Sequence, residues 1–540
     1  MRLWLVAAVL GLGACGNVKD DPPGDDDAGP DGQGFTLSVL DPTASVPLDG
    51  MNRIGIAVTR TGGFTGAVTL TGSGAPAGVS ITTTTVAPEA TAADVIIAGA
   101  APLVIDGKVT FSIEGTGDGV AAKTVTLTDL PVTGRPGSVD VTFGEGAGLA
   151  NVSYGADDGG DVNALLVTNG KILMTGTGQG GLGAVGFRTM RFDAAGAKDA
   201  TWNTGALVRT QLGSGSGDDT EAAAIGLQSD GRCIVIGFNN NAGNTNVGLV
   251  RYSTTGGDGG ADFGTTTGAR SIIDLGGVDH VRTGVVLANS SIIAAGDKDG
   301  HILVSKLTAT GSLDTGFAAP AGFERLIRGT TSRVDRVTTD AQNRILVAGT
   351  FTNGGQTDLI MLRYNNDGTH DAGFGTTGEV VIAGAANERT VQVRVVGGKI
   401  YLASMASESG SAFFRVRRFS ANGQLDTVAG AADTAWGIDG VAELLVTTAD
   451  ARDMAVLADG RVVMYGTAGG SAFFARWTRT GTVDTLFGPD GTGTATVFIG
   501  DSGAPSVIEV YSTHQVVFGG TNLGGVPGPG TKAIVGRMWM

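Results

Sequence analysis

Six arginines and five aspartates recur along this chain with regular spacing: Arg191, Arg251, Arg363, Arg418, Arg476 and Arg537, with Asp140, Asp314, Asp371, Asp426 and Asp484. A guanidinium and a carboxylate in one repeat can form a charge-assisted, bidentate pair. The same groups can also bind a substrate or stabilise developing charge. Repetition decides between these uses. A catalytic residue is needed once, whereas a residue needed in nearly every repeat usually solves a structural problem. Each arginine is therefore expected to hold a turn carboxylate or carbonyls and to lock one repeat to the next.

Other candidates are weaker. Gly500-Asp501-Ser502-Gly503-Ala504-Pro505 resembles the nucleophile loop of chymotrypsin-like proteases. That chemistry needs a histidine base and an orienting aspartate. The four histidines, His280, His301, His370 and His514, stand in no matching phrase and are too scattered for a recognisable zinc site. The glycine-rich Gly176-Thr177-Gly178-Gln179-Gly180-Gly181 has no helical period behind it, so it lacks the helix N-terminus that cradles phosphate. Asp297-Lys298-Asp299-Gly300 and the Asp25-Asp26-Asp27 cluster carry fragments of a Ca²⁺ loop without its full spacing. They read as a tight turn and a solvated linker. No cofactor and no resident metal are expected, with Ca²⁺ the weak alternative.

The elements around the arginines form a repeated phrase. A turn leads into a basic or polar residue, an apolar run and usually a glycine. The seven copies are Gly170-KILMT-Gly176, Asp230-GRCIVI-Gly237, Asn289-SSIIAA-Gly296, Gln342-NRILVA-Gly349, Gly397-GKIYLA-Ser404, Asp459-GRVVMY-Gly466 and Thr513-HQVVFG-Gly520. They lie roughly 53 to 62 residues apart. Each is followed by an apolar strand ending in a cation and a bulky residue, as in Met190-Arg191-Phe192, with Lys306 in the third copy. Then comes an acid followed by an aromatic, as in Asp371 before Phe374-Gly375. Asp199 before Trp202 and Asp262-Phe263-Gly264 are looser versions, and Asp426 reaches Trp436 only after an insertion around Thr427 to Ala435. A further alternating run precedes each phrase. Period-2 alternation between turn signals is the mark of strands. Four short strands per unit, repeated seven times, predict an all-β fold with a seven-bladed β-propeller over residues 138–540. The entering Val139-Asp140-Val141-Thr142-Phe143-Gly144 is the tail of a repeat, and Ile534-Val535-Gly536-Arg537-Met538 is the strand that normally precedes it. The two pieces are expected to complete one unit and close the ring, which removes exposed edges.

The joint pattern resembles the delta-60 repeat of bacterial surface and secreted proteins, over about three quarters of the chain. The resemblance implies a propeller-like domain and no established enzymatic activity. Lys306 in place of arginine and Ser404 in place of glycine are its main departures.

Glycine is abundant, at 92 of 540 residues, as many tight turns require. The net charge of −16 disfavours nucleic acid, whose phosphates need clustered lysine and arginine. Cys233 lies inside an apolar run and reads as a small buried hydrophobe. At the N-terminus, Met1-Arg2 precedes an apolar stretch from Leu3 to Leu12, too short to span a bilayer as a helix. Leu12-Gly13-Ala14-Cys15 then resembles a bacterial lipobox. The resemblance implies a signal peptide over residues 1–15, with Cys15 acylated as the mature N-terminus. Gly16 follows, without the aspartate that often marks inner-membrane retention, so an outer-membrane lipoprotein is expected, periplasmic or surface-exposed. Residues 16–34 are rich in Asp, Pro and Gly and read as a disordered acidic linker.

Between Phe35 and Thr133, seven short alternating runs in about 100 residues predict an immunoglobulin-like β-sandwich. Val58-TRTGGFTGAVTLTGSGAPAGVSIT resembles bacterial Ig-like modules, which implies a disulfide-free stalk. The expected protein is thus a monomeric, membrane-anchored lipoprotein. Its propeller binds a protein or glycan partner, and no catalysis is expected. The rivals are a glycan hydrolase or lyase with a site in the channel, and a purely structural envelope protein. Specificity is expected in the variable loops between copies.

Overall fold

A computed structural model describes residues 32–540, except 42, 145, 154–159, 180–184, 214–217, 242, 265–267, 385, 409, 428–435, 501–502 and 523–531. The lipobox with Cys15 and the Asp25–Asp27 cluster lie outside the described residues. Among the described residues the chain is all-β, with one short 3₁₀ turn at Asn203–Gly205. It divides into two compact units, Met1–Pro136 and Gly137–Met540.

The first unit contains two sheets. Gly34–Val39, Gly50–Thr61, Ala92–Gly99 and Val79–Ile81 form one. Val46–Pro47, Val120–Thr133, Lys108–Gly117, Val68–Ser73 and Thr84–Val86 form the other. Alternation along the strands sends Phe35, Ile54, Ile56, Val95 and Ile97 from the first sheet into the same core as Val68, Leu70, Phe111, Ile113 and Leu127 from the second. Each such side chain removed from water contributes about 1.5–3 kcal/mol. The chain changes sheet after Ile81: Val79–Ile81 pairs in one sheet and Thr84–Val86 in the other.

The second unit contains, among the described residues, seven four-stranded antiparallel sheets. Their innermost strands are Gly160–Thr168, Asp218–Leu227, Asp279–Val286, Thr331–Thr339, Asn387–Val396, Ala449–Val456 and Gly503–Ser512. We number the sheets one to seven in that order. The glycine phrase is the second strand of each sheet and the arginine phrase ends the third. Each innermost strand packs against the innermost strand of the next sheet, and that of sheet seven packs against that of sheet one. The core fills the gaps between neighbouring sheets. Leu173, Phe187 and Trp202 of sheet one, for example, pack with Cys233, Val235 and Tyr252 of sheet two. Burial pushes the Cys233 thiol up to about 12, so it behaves as an inert hydrophobe.

Sheet seven is assembled from both ends of the unit. Leu149–Ser153 pairs with Lys532–Trp539 as its outermost strand, and Val139 bridges to Met538.

The register explains the closing glycine. Every innermost strand carries a β-bulge at the residue that pairs with it: Val162 with Gly176, Ala222 with Gly237, Val281 with Gly296, Val334 with Gly349, Thr390 with Ser404, Ala451 with Gly466 and Pro505 with Gly520. A bulge swings the preceding carbonyl across the partner strand. A Cβ at Gly237, Gly296 or Gly349 would sit 1.9 Å from the carbonyl oxygen of Glu221, His280 or Arg333. At Gly466 it would sit 2.0 Å from that of Asp450. Only a residue without a side chain admits this approach. In sheet five Ser404 stands instead, fully buried, and its hydroxyl donates to Glu388 at 2.7 Å.

Candidate functional site

The repeated cations and acids meet in the turns that link neighbouring sheets. Nε of Arg191 donates to Asp199 at 2.7 Å, that of Arg363 to Asp371 at 2.8 Å, that of Arg418 to Asp426 at 2.7 Å, that of Arg476 to Asp484 at 2.9 Å and that of Arg537 to Asp140 at 2.8 Å. The aromatic three residues past the acid, or further on at Trp436, completes the arrangement. The guanidinium carbon stands 4.9 Å from the ring centre of Trp202, 4.6 Å from Phe374, 4.7 Å from Phe487 and 4.9 Å from Phe143. A cation over an aromatic face gains electrostatic attraction in addition to the ion pair. For Arg418 and Trp436 the distance is 5.9 Å, and residues 428–435 of the predicted insertion lie outside the described residues.

Terminal nitrogens then cross to the next sheet. Nη1 of Arg191 donates to the Thr254 carbonyl at 3.0 Å, Nη1 of Arg537 to Ala194 at 2.6 Å, and Nη1 of Arg363 to Ala421. Lys306 does the same with one nitrogen, reaching Asn366 O at 2.8 Å and Asp314 at 3.4 Å. Arg251 instead donates from Nε to its own turn at Gly259 O, 2.8 Å away, and from Nη2 to Asp262. Burial alone would raise the Asp199 carboxyl, but hydrogen bonds from Lys171, Thr201 and Arg191 outweigh it and hold Asp199 well below the usual carboxylate range. Burial pushes Arg476 down to about 10 against the opposing pull of Asp484.

The residues that do not repeat converge elsewhere. A cavity of about 1190 Å³ runs among the innermost strands and is lined from all seven sheets. At the register position just before the bulge-paired residue, the ring reads Asp161, Glu221, His280, Arg333, Arg389, Asp450 and Ala504. Arg282 and Arg452 sit in the bulges of sheets three and six. Sheets three to six thus present Arg282, Arg333, Arg336, Arg389, Arg394 and Arg452 to the cavity. Sheets seven, one and two present Glu509, Asp161 and Glu221 and, among the described residues, no cation. The arginines are confined to one arc, which they share with Asp335 and Asp453, and the other arc is acidic.

The wall is organised by hydrogen bonds. Nε of Arg282 donates to Asp297 at 2.6 Å, and Nε of Arg333 to Asp335 at 2.7 Å. Asp450 lies between Arg389, which it pairs, and Arg452, whose Nη2 is 3.0 Å away. Deeper in, Asp453 accepts from Gln392 at 2.6 Å and from the Ile508 amide at 2.9 Å, tying sheets five, six and seven together. Arg394 reaches Glu509 at 3.1 Å. Burial raises the Glu509 carboxyl against the pull of Arg394. Burial likewise raises Glu221, with Asp219 and Asp161 adding to it and His280 opposing.

The other candidates are kept apart. His280 lines the cavity, where it meets Phe238 edge-on at 5.2 Å. His370 bonds Glu324 at 3.0 Å, His514 bonds Thr513 at 2.9 Å, and His301 begins a hairpin strand. Asp297 faces Arg282, Lys298 donates to buried Asp279 at 3.1 Å, and Asp299 is the left-handed turn residue. Among the described residues no three His, Cys, Asp or Glu side chains gather as a metal centre would need. Asp501, Ser502, Gly180 and Gly181 lie outside the described residues. The lining of the cavity was missed by motif reading because its residues sit inside strands, not in the variable loops. Aligning the seven inner runs on the closing glycine is the signal that finds them.

Residues 343–374 and 398–427, the second and third strands of sheets four and five with their turns, match a family described as a domain of unknown function (DUF5122) beta-propeller. No curated protein matches the chain. Among solved structures, a protein of unknown function from Dyadobacter fermentans is 10% identical with a TM-score of 0.37, covering 72% of this chain and 99% of its own. The polysaccharide lyase Uly1 is 10% identical with a TM-score of 0.38, covering 69% and 89%. Prolyl oligopeptidase B from Galerina marginata is 9% identical with a TM-score of 0.39, covering 68% and 48%. The chain is an all-β protein containing a β-propeller. Propellers host many unrelated activities, so function must be argued from the site.

Proposed function

We propose that this chain is a bacterial outer-membrane lipoprotein, anchored through Cys15, whose propeller is a non-catalytic binding scaffold with its site in the central channel. The observation that carries this reading is a division of labour. The repeated Arg, Asp and aromatic residues are engaged in joining sheets, while unrepeated ones converge on the cavity among the innermost strands. The seven sheets with a closed circuit of inner strands support a seven-bladed propeller of the delta-60 type over residues 138–540. The two sheets on one core support an immunoglobulin-like module over residues 35–133. The channel's carboxylates and guanidiniums largely partner one another, an arrangement that suits recognition more readily than acid–base chemistry.

Two measurements test the reading. Palmitate labelling of wild type is expected to vanish in Cys15→Ser, and unchanged labelling contradicts the anchor. Soluble protein from residue 34 onward should capture a glycan or protein ligand without altering it. A chain-cleaved product would favour the glycan hydrolase or lyase reading.

A further inference from the structure

We infer that the channel recognises an anionic saccharide, bearing a carboxylate or sulfate, through an arc of arginines contributed by four successive sheets. The inference deepens the binding reading above and rests on it.

Arg282, Arg333, Arg389 and Arg452 come from sheets three, four, five and six, each next to the bulge-paired residue of its strand. Nothing in the repeat demands them: where Arg333 and Arg389 stand, the other sheets hold Asp161, Glu221, His280, Asp450 and Ala504, and in the bulges that hold Arg282 and Arg452 the others hold Asn163, Ala223, Asp335, Val391 and Ser506. Arg282 and Arg452 are exposed and Arg333 and Arg389 half-buried, with side chains 41%, 50%, 44% and 38% exposed, so each is within reach of a ligand. Arg282 and Arg333 engage their carboxylates through Nε alone among the described residues, which leaves both terminal nitrogens of each as donors. Asp297 and Asp335 thereby fix the forks and do not saturate them. A guanidinium held by Nε and open at Nη1 and Nη2 is arranged for bidentate binding of a planar or tetrahedral oxyanion. Arg282, Arg333 and Arg389 also line a second cavity of about 680 Å³, so they form a wall open on two sides.

The opposite wall selects the rest of the ligand. Asp161, Glu221 and Glu509 accept hydrogen bonds and repel extended polyanions. Hydroxyl groups suit them. Phe238 and His280 lie where the acidic and basic arcs meet and offer ring surface for the carbon face of a sugar. A cavity of about 1190 Å³ is somewhat larger than the usual small-ligand site and accommodates several sugar rings. The chain as a whole carries −16, so the arc is a local attraction inside a repulsive field, and this favours a ligand of low charge density.

The test is calorimetric titration of the chain from residue 34 onward with four probes: tetragalacturonate, a kappa-carrageenan-derived tetrasaccharide with one sulfate per disaccharide, maltotetraose and tetraglutamate. Saturable binding of either anionic sugar, and not of the other two probes, is expected, and the arm that binds names the anion. The Arg282→Gln/Arg333→Gln double variant should weaken that binding by about tenfold or more per arginine. Arg452→Gln, the most exposed of the four, provides the same readout should the double variant unfold. Binding of maltotetraose at equal affinity, of tetraglutamate in preference, or of an anionic sugar unaffected in the variants overturns the inference while leaving a binding scaffold intact. Failure of both anionic sugars to bind also overturns it. Mass analysis of the recovered probe separates the two readings, since fragments contradict the non-catalytic scaffold and not the anion recognition.

Discussion

Arg537 donates from Nε to Asp140 at 2.8 Å, joining residues 397 positions apart in the chain. Both are almost fully buried, and Nη1 of the same arginine reaches Ala194 of sheet one at 2.6 Å. This contact does for sheet seven what a pair eight residues apart does in sheets one, four, five and six. It converts a local latch into the closure of the ring.

Removing one partner of such a pair leaves the other charge buried. Arg537→Gln is therefore expected to destabilise the second unit by about 3–5 kcal/mol. Arg232→Gln, which loses a partly exposed pair with Asp230 and a hydrogen bond to the Gly259 carbonyl, should cost about 1 kcal/mol. Denaturant midpoints of the two variants make the comparison. Equal losses contradict a closing role for Arg537.

Gly349→Ala should destabilise by about 1–3 kcal/mol, because its Cβ would meet the Arg333 carbonyl oxygen at 1.9 Å. Gly384→Ala, where nothing lies within 4 Å and the backbone is ordinary, should be neutral. Thermal unfolding of the pair tests whether the bulge is what demands the glycine.

Much of this was legible in the sequence. Strand alternation and the glycine phrase marked four strands per unit because local periodicity survives in every copy. The spacing of eight between Arg363 and Asp371, or Arg476 and Asp484, was visible because it repeats. The bulges were not, since a bulge is a property of two aligned strands. The arginine arc was also hidden. Arg282, Arg333, Arg389 and Arg452 occur once each at differing offsets, and only the ring brings them together. Repetition marks the scaffold and is silent about a site made of exceptions.

Glu388 is buried and accepts from Arg415 at 2.5 Å, from Arg417 at 2.7 Å and from Ser404 at 2.7 Å. Glu388→Gln leaves buried Arg417 without its carboxylate, while Arg415 keeps Glu443, and should cost about 3–5 kcal/mol. Glu388→Leu combined with Arg415→Met and Arg417→Met should recover most of that loss. A neutral Glu388→Gln in chemical denaturation would show that the cluster is not held as a unit.

His370 is raised above its ordinary value, chiefly by its hydrogen bond to Glu324 of the neighbouring sheet and against the effect of burial. A raised folded value means that the stabilisation is fully present below about pH 6.5 and is lost as pH rises through the higher folded value. The stability difference between wild type and His370→Gln should be largest near pH 6 and shrink toward pH 8. A difference that grows with pH contradicts the assignment.

The division between repeated scaffold and unrepeated site is tested most directly by comparing Arg363→Gln with Arg333→Gln in one preparation each. Thermal stability and affinity for the anionic tetrasaccharide would be measured together. Arg363→Gln should lower the unfolding temperature and leave affinity unchanged below it. Arg333→Gln should weaken binding by about tenfold and leave the unfolding temperature close to that of wild type. If the two variants lose stability alike, or if binding survives in Arg333→Gln and fails in Arg363→Gln, scaffold and site are not separated in this way.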